Sequence, residues 1–270
     1  MGRAAPCAIG RFARTRGAAK GERLRACEGA AVNSIIYAGH DFSEICSAQV
    51  VGRSLNEMAV EAMRVAGRPG AVPASVWMPP EDIMVCLLMD PGFDPGVAGL
   101  ASMRHRLRAW LVQPHGGTLV LPDEPELTYH DVLLVSAGNW TQLFEDGECE
   151  VTFTAFDPVA YGAERVVRAP GFEVGGTWCT DPAFHAVVEA GSGLQIANRA
   201  TGEAVRLERA FAGGEFVVID CADGSVRVDG LDARDAVALG SDFFALCPGY
   251  NELAFTGCSS AETRFVERWL

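Results

Sequence analysis

Lysine is nearly missing from this chain of 270 residues: of 22 basic side chains only Lys20 is a lysine, and the rest are arginine, as a GC-rich genome would produce. Long apolar runs are missing too. The longest, Ile83 to Met89, falls far short of the roughly 20 residues that a bilayer-spanning helix needs, so no membrane is expected among the partners. Cations are outnumbered by 35 acidic residues, for a net charge of −13. Phosphate binding wants grouped Lys and Arg, so no sequence-specific nucleic acid is expected either. Motifs that carry chemistry are absent as well: no GxSxG, no GxxxxGK[ST], no HExxH and no GxGxxG opening a helix. An enzyme is therefore not expected. No catalytic, cofactor-binding or metal residue is nominated, and no cofactor is implied.

The residues that could contradict this are scattered. The five histidines, His40, His105, His115, His130 and His185, have no paired carboxylate motif and read as surface or strand residues. Asp220, Asp223, Asp229, Asp232 and Asp235 lack the tight alternation and closing Glu of a calcium loop and read as turn residues, as do Glu145, Asp146 and Glu148. Asn139-Trp140-Thr141 has the pattern of a glycosylation sequon, but nothing here implies secretion. Nine cysteines include no CxxC pair. Cys46, Cys86, Cys149 and Cys179 stand singly among apolar or strand-like residues, and Cys247 and Cys258 have no neighbouring histidine. Zinc and a disulfide framework are both disfavoured, and a reduced protein made in a cytoplasm is expected.

What is plentiful is punctuation. The 30 glycines and 14 prolines exceed the roughly 12 % background and separate short apolar runs, which points to a mainly β architecture. The length fits one large or two ordinary domains. Charge divides the chain as well. Residues 1–31 hold seven basic and two acidic side chains, or +5 within a total of −13, leaving −18 for residues 32–270. Arg11, Arg14 and Arg16 interrupt any signal-peptide core, and the segment has no helical or strand period. It reads as a disordered leader and as the product of a mis-assigned start, with Val32 encoded by GUG and Glu28-Gly29 by a purine-rich ribosome-binding sequence. A basic arm for nucleic acid or an anionic surface is the competing reading.

Along the body, strands are expected at Ser34–Tyr37, before a turn at Gly39-His40-Asp41, and at Ile45–Val51, Ile83–Met89, Thr118–Leu121, Leu127–Val135 and Glu148–Phe156. Residues 56–66 are ambiguous, because their composition favours helix while Gly67-Arg68-Pro69-Gly70 closes them like a hairpin arm. One strong helix is expected after Asp94-Pro95, with Leu100, Met103, Leu107, Trp110 and Leu111 at helical spacing and Arg104, His105, Arg106 and Arg108 crowding it. Those cations read as a solvated face or as a basic patch for an acidic neighbour. Asp157 to Gly162 marks a boundary between residues 32–162 and 163–270. Beyond it, Phe216–Asp220 and Val226–Val228 flank an Asp223-Gly224 hairpin turn, and the 8–15-residue spacing of short segments suggests a β-sandwich.

The order of these elements resembles a known family. Phe153-Thr154-Ala155-Phe156-Asp157-Pro158-Val159-Ala160-Tyr161-Gly162 is similar to the F-x-x-x-DP-x-AYG junction of distal tail proteins from siphovirus-type, long-tailed phages. Upstream stand Gly67-Arg68-Pro69-Gly70-Ala71, where the family more often has Asp in place of Pro69, then Ala109-Trp110-Leu111 and Leu119-Val120-Leu121-Pro122-Asp123 running on to Tyr129. Downstream come Asn198-x-x-Thr201-Gly202-Glu203, Ser241-Asp242-Phe243-Phe244-x-Leu246-x-Pro248-Gly249-x-Asn251 and the terminal Arg268-Trp269.

The resemblance covers residues 33–270, and its strength lies in the order of motifs that are each weak alone. It implies an N-terminal β-rich domain with one α-helix that forms a hexameric ring, and a C-terminal galectin-like β-sandwich facing outwards. It implies a structural hub at the virion tail tip, synthesised in the bacterial host cytoplasm. The hub would join the tail tube protein to the tail fibre or tail-associated lysin and, in some members, to receptor-binding proteins. An acidic body suits a surface that meets passing DNA, since like charge discourages sticking. The alternative is a carbohydrate-binding module for host-surface adhesion, with Trp178, Phe184 and Phe211 as candidate sugar platforms.

Overall fold

The computed structural model describes residues 34–54, 57–89, 96–139, 143, 145 and 147–270, without the side chains of 97–98. The leader, the Asp94-Pro95 helix start, Asp146 and most of the 139–141 sequon lie outside the described residues.

The first hairpin joins β1 (Ile36–Tyr37) to β2 (His40–Asp41) through Ala38-Gly39, both at positive φ (49° and 78°), as a two-residue type I′ loop requires. The turn is thus centred slightly earlier than Gly39-His40-Asp41. Ile45 and Cys46 are not yet strand. They follow a single 3₁₀ turn at Phe42–Glu44, capped by the Asp41 carboxylate, which accepts the Ser43 N–H at 2.8 Å.

β3 (Ser47–Arg53) then enters the sheet, followed by β4 (Ala59–Met63), β5 (Val72–Trp77) and β6 (Glu81–Leu88). Of residues 56–66, those from 57 on are described and form a hairpin arm, because β4 pairs antiparallel with β5 across a turn in which Gly67 and Gly70 take positive φ. β6 alternates strictly, with Ile83, Val85 and Leu87 buried, and pairs with β3 on one side. The helix α1 (Gly96–Leu111) turns Leu107 and Leu111 into the same core, with Met103 and Trp110 packed at its margin. β7 (Gly117–Leu121), β8 (Glu124–Ser136) and β9 (Glu148–Ala155) complete the first core, β9 pairing with the free side of β6.

Asp157–Val159 forms a turn, and β10 (Ala160–Val167) starts immediately after it. Beyond lie β11 (Gly171–Val174), β12 (Ala183–Val188), β13 (Leu194–Asn198), β14 (Ala204–Leu207), β15 (Phe216–Asp220), β16 (Ser225–Val228), β17 (Leu231–Asp232), β18 (Gly249–Thr256) and β19 (Cys258–Trp269). The sheet β11-β18-β13-β14 packs over β16-β15-β12-β19, and the alternating inward residues of both make a second core around Phe184, Ile196, Val217 and Phe265. The fold is therefore mainly β, an N-terminal β-rich region with one long helix among the described residues and a C-terminal galectin-like β-sandwich. Both belong to a single compact unit, Ser34–Leu270.

Two strands serve both cores. β10 pairs with β8 through Ala160 and Tyr161 and with β19 along most of its length. β19 places Phe265 in the sandwich core and ends at Trp269, which packs against the first core. Gly162 lies beneath that indole, where a Cβ would sit 2.8 Å from the ring.

The turn motifs of the sandwich are held by buried polar groups. Asn251 donates from Nδ2 to the carbonyls of Cys247 (2.8 Å) and Gly249 (3.0 Å), and Asn198 Oδ1 accepts the Ala200 N–H at 2.9 Å. An Asn251→Ala variant leaves two carbonyls without that donor and is expected to lose about 2 kcal/mol of stability. Urea unfolding should show a lower midpoint with an unchanged slope.

Candidate interaction surfaces

The hairpin arm β4–β5 forms a two-stranded sheet of its own. Its apolar side chains point outwards on both faces: Met63 is 57 % exposed, Val60 55 %, Val76 52 % and Trp77 49 %. An isolated two-stranded hairpin is marginal in water, and a bare apolar one needs a surface to cover it.

Its root, in contrast, is firmly built. The arm leaves the sheet after Arg53, the last residue of β3, and returns at Glu81, the first of β6. Arg53 Nη1 donates to Glu124 Oε2 at 2.7 Å and to the Tyr129 hydroxyl at 3.3 Å, while Nη2 donates to Asp123 Oδ1 at 2.9 Å. Burial pushes the Tyr129 phenol up and raises Glu81 above the usual carboxylate range, with Arg53 opposing both. Sequence reasoning missed this clamp, and the only hint was the Pro122-Asp123 and Tyr129 pattern.

On α1, Arg104, His105, Arg106 and Arg108 are all exposed. Arg106 pairs with Glu44 and lies over the Trp110 ring at 4.8 Å, while Trp110 stacks on His40. One of the four is thus tied into the protein's own surface.

A second built cluster joins the two cores. The segment after β11 wraps the end of β19: Gly175 N–H donates to Glu267 Oε1 at 2.8 Å, and the N–H groups of Thr177 and Trp178 both donate to the Arg268 carbonyl, at 2.9 and 3.1 Å. Arg268 Nη1 reaches Asp181 at 3.1 Å, and its guanidinium lies 5.4 Å from the centre of the Tyr161 ring. The Tyr161 hydroxyl donates to Asp157, and burial with that hydrogen bond pushes the phenol up to about 12. Asp157, Tyr161, Gly162, Arg268 and Trp269, which stand at two distant places in the sequence, therefore form one joint.

The remaining candidates are local. Asp220, Asp223 and Asp229 each accept a backbone N–H at 2.8–2.9 Å within their own hairpins, and Asp232 grips Arg234. His185 lies against Phe216 and 3.6 Å from Glu262, and burial lowers its pKa. Of the three aromatics considered as sugar platforms, Phe184 and Phe211 are buried and Trp178 reaches the surface. Cys179 and Cys247, read separately from the sequence, face each other with Sγ atoms 2.9 Å apart.

A mainly β chain built of two cores on shared strands, with an apolar arm that no other described residues cover, has the character of an assembly component. Residues 175–269 match the family model of the siphovirus-type tail component, C-terminal domain. A relative, the distal tail protein of Bacillus phage SPP1, is 24 % identical over 243 residues, covering 82 % of this chain and 89 % of that protein. Among solved structures, the crystal structure of the SPP1 Dit protein, described as a paradigm of the hub adsorption apparatus in phages infecting Gram-positive bacteria, superposes with a TM-score of 0.72. That match has 20 % identity and covers 89 % of this chain and 100 % of the other, so the two share a fold along their length.

Proposed function

We propose that this chain is the structural hub of a phage tail tip, a distal tail protein that assembles as a homo-hexameric ring. The observation that carries the reading is the hairpin arm, which exposes apolar residues on both faces and is held at its root by Arg53. Such an arm is complete only when it lies on another surface, and a second copy of the same chain offers one at every subunit of a closed ring. In this reading residues 32–162 form the ring against the tail tube protein, and residues 163–270 face outwards to meet a tail fibre, a tail-associated lysin or a receptor-binding protein. The protein acts by holding these parts together and needs no catalysis. Its place is the virion tail tip, after synthesis in the host cytoplasm.

Light scattering on the purified chain, together with negative-stain images, tests this directly. Rings of six subunits are the expected result, and a strict monomer at high concentration would sink the hexamer.

A further inference from the structure

We propose that Cys179 and Cys247 form a reversible cross-strand disulfide when the protein meets an oxidising milieu. Thr180 and Leu246 exchange both backbone hydrogen bonds, at 2.9 and 2.7 Å, as an isolated antiparallel bridge. The adjacent pair in that register is Cys179 opposite Cys247, which is the non-hydrogen-bonded kind of position, where facing Cα atoms approach to about 4.5 Å. That separation lies inside the range a disulfide accepts. The two sulfurs are 2.9 Å apart as free thiols, so bonding at about 2.05 Å needs a closure of less than about 1 Å.

The backbones are held while this happens. Asn251 grips the Cys247 carbonyl at 2.8 Å, and Arg268 lies 3.5 Å from the Cys179 carbonyl. Access is unequal, with Cys247 exposed and Cys179 half-buried. The hydrogen bond to Cys247 and burial push the Cys179 thiol up, and its greater exposure makes Cys247 the first to react.

The oxidant is a small-molecule disulfide. The Cys247 thiolate attacks one of its sulfurs, forming a mixed disulfide and releasing one small thiolate. Cys179 then gives its proton to solvent and attacks the Cys247 sulfur, forming the protein disulfide and expelling the second small thiolate. Two protein thiols are oxidised and one small disulfide is reduced to two thiols. The product ties the segment that wraps β19 to the segment that starts β18, across 68 residues of chain. A long closed loop of this kind restricts the unfolded ensemble strongly. The chemistry does not depend on the tail reading; under that reading, release from the cytoplasm supplies the change of milieu.

The test uses the full chain and oxidised glutathione. Cys7 and Cys27 lie in the leader, so the readout is a map of linked fragments, with cleavage at arginine and at Glu252 to separate Cys247 from Cys258. A Cys179–Cys247 linked fragment is expected, together with a rise in melting temperature of about 5–10 °C that dithiothreitol reverses. Cys247→Ser should melt like the reduced wild type and ignore the oxidant. A stable glutathione adduct on Cys247, or thiols at 179 and 247 that stay unlinked in the folded protein, would overturn the proposal. A linked protein with an unchanged melting temperature would overturn the stabilising role.

Discussion

Gly176→Ala is expected to destabilise the protein by about 3 kcal/mol or more. Gly176 has φ of +87°, and a Cβ built there lies 2.1 Å from the Arg268 carbonyl oxygen. That oxygen already accepts the N–H groups of Thr177 and Trp178. β19 cannot retreat, because on its other side Tyr161 and Ala160 of β10 pair with Arg268 and Trp269. Gly202 supplies the control: its φ is +80°, yet a Cβ there meets nothing within 4 Å. Gly202→Ala should therefore show the left-handed backbone strain alone, about 1–2 kcal/mol. Urea midpoints of both variants, compared at equal slope, separate strain from collision. Equal losses at the two sites would remove the joint at Arg268 from the account of what holds the cores together.

That joint also marks how far the sequence could be read. Strands of the sandwich were legible because alternation and turn residues are local properties: Phe216–Asp220 and Val226–Val228 flank Asp223-Gly224 as a hairpin in both sequence and structure. The helix was legible for the same reason, since Leu107 and Leu111 recur at helical spacing and are both buried. Sequence reading placed Asp157-to-Gly162 and Arg268-Trp269 as two separate signatures. Their meeting depends on β10 and β19 lying side by side, which is a property of topology and not of any short window.

The cysteine pair shows the same limit. In the sequence Cys179 stands alone and Cys247 has no neighbouring histidine, and the Thr180–Leu246 register sets the two opposite one another. The arm was ambiguous for a different reason. Ala59, Glu61, Ala62 and Met63 are helix formers, and the arm buries no face against the other described residues, so no core-facing period marks it as strand. Gly67 and Gly70, whose positive φ closes the hairpin, settle the matter locally. A segment whose periodicity answers to another surface is illegible from its own core, and the missing pattern is itself informative about where its partner lies.

A paired substitution on that arm should abolish assembly while leaving the subunit intact. Val60 and Val76 are direct cross-strand partners, both exposed. Replacing them together, Val60→Glu with Val76→Lys, keeps an opposite-charge pair in register, which supports the hairpin by a few tenths of a kcal/mol. The same change puts two charges where a partner subunit would have to strip them of water. Desolvating an ion pair in an apolar contact costs more than the mutual attraction of the two charges returns, so association should weaken by about 10²-fold or more. Thermal unfolding of the isolated subunit should move little, since neither residue belongs to the first or the second core. Light scattering would then report a single subunit in place of the proposed ring. An unchanged ring would place the interface elsewhere, with the exposed face of α1 carrying Arg104 and Arg108 the next surface to alter. Loss of the ring together with a lower melting temperature would show that the arm stabilises its own subunit, and Trp77→Ser, which leaves the Val60–Val76 pair in place, would distinguish the two roles.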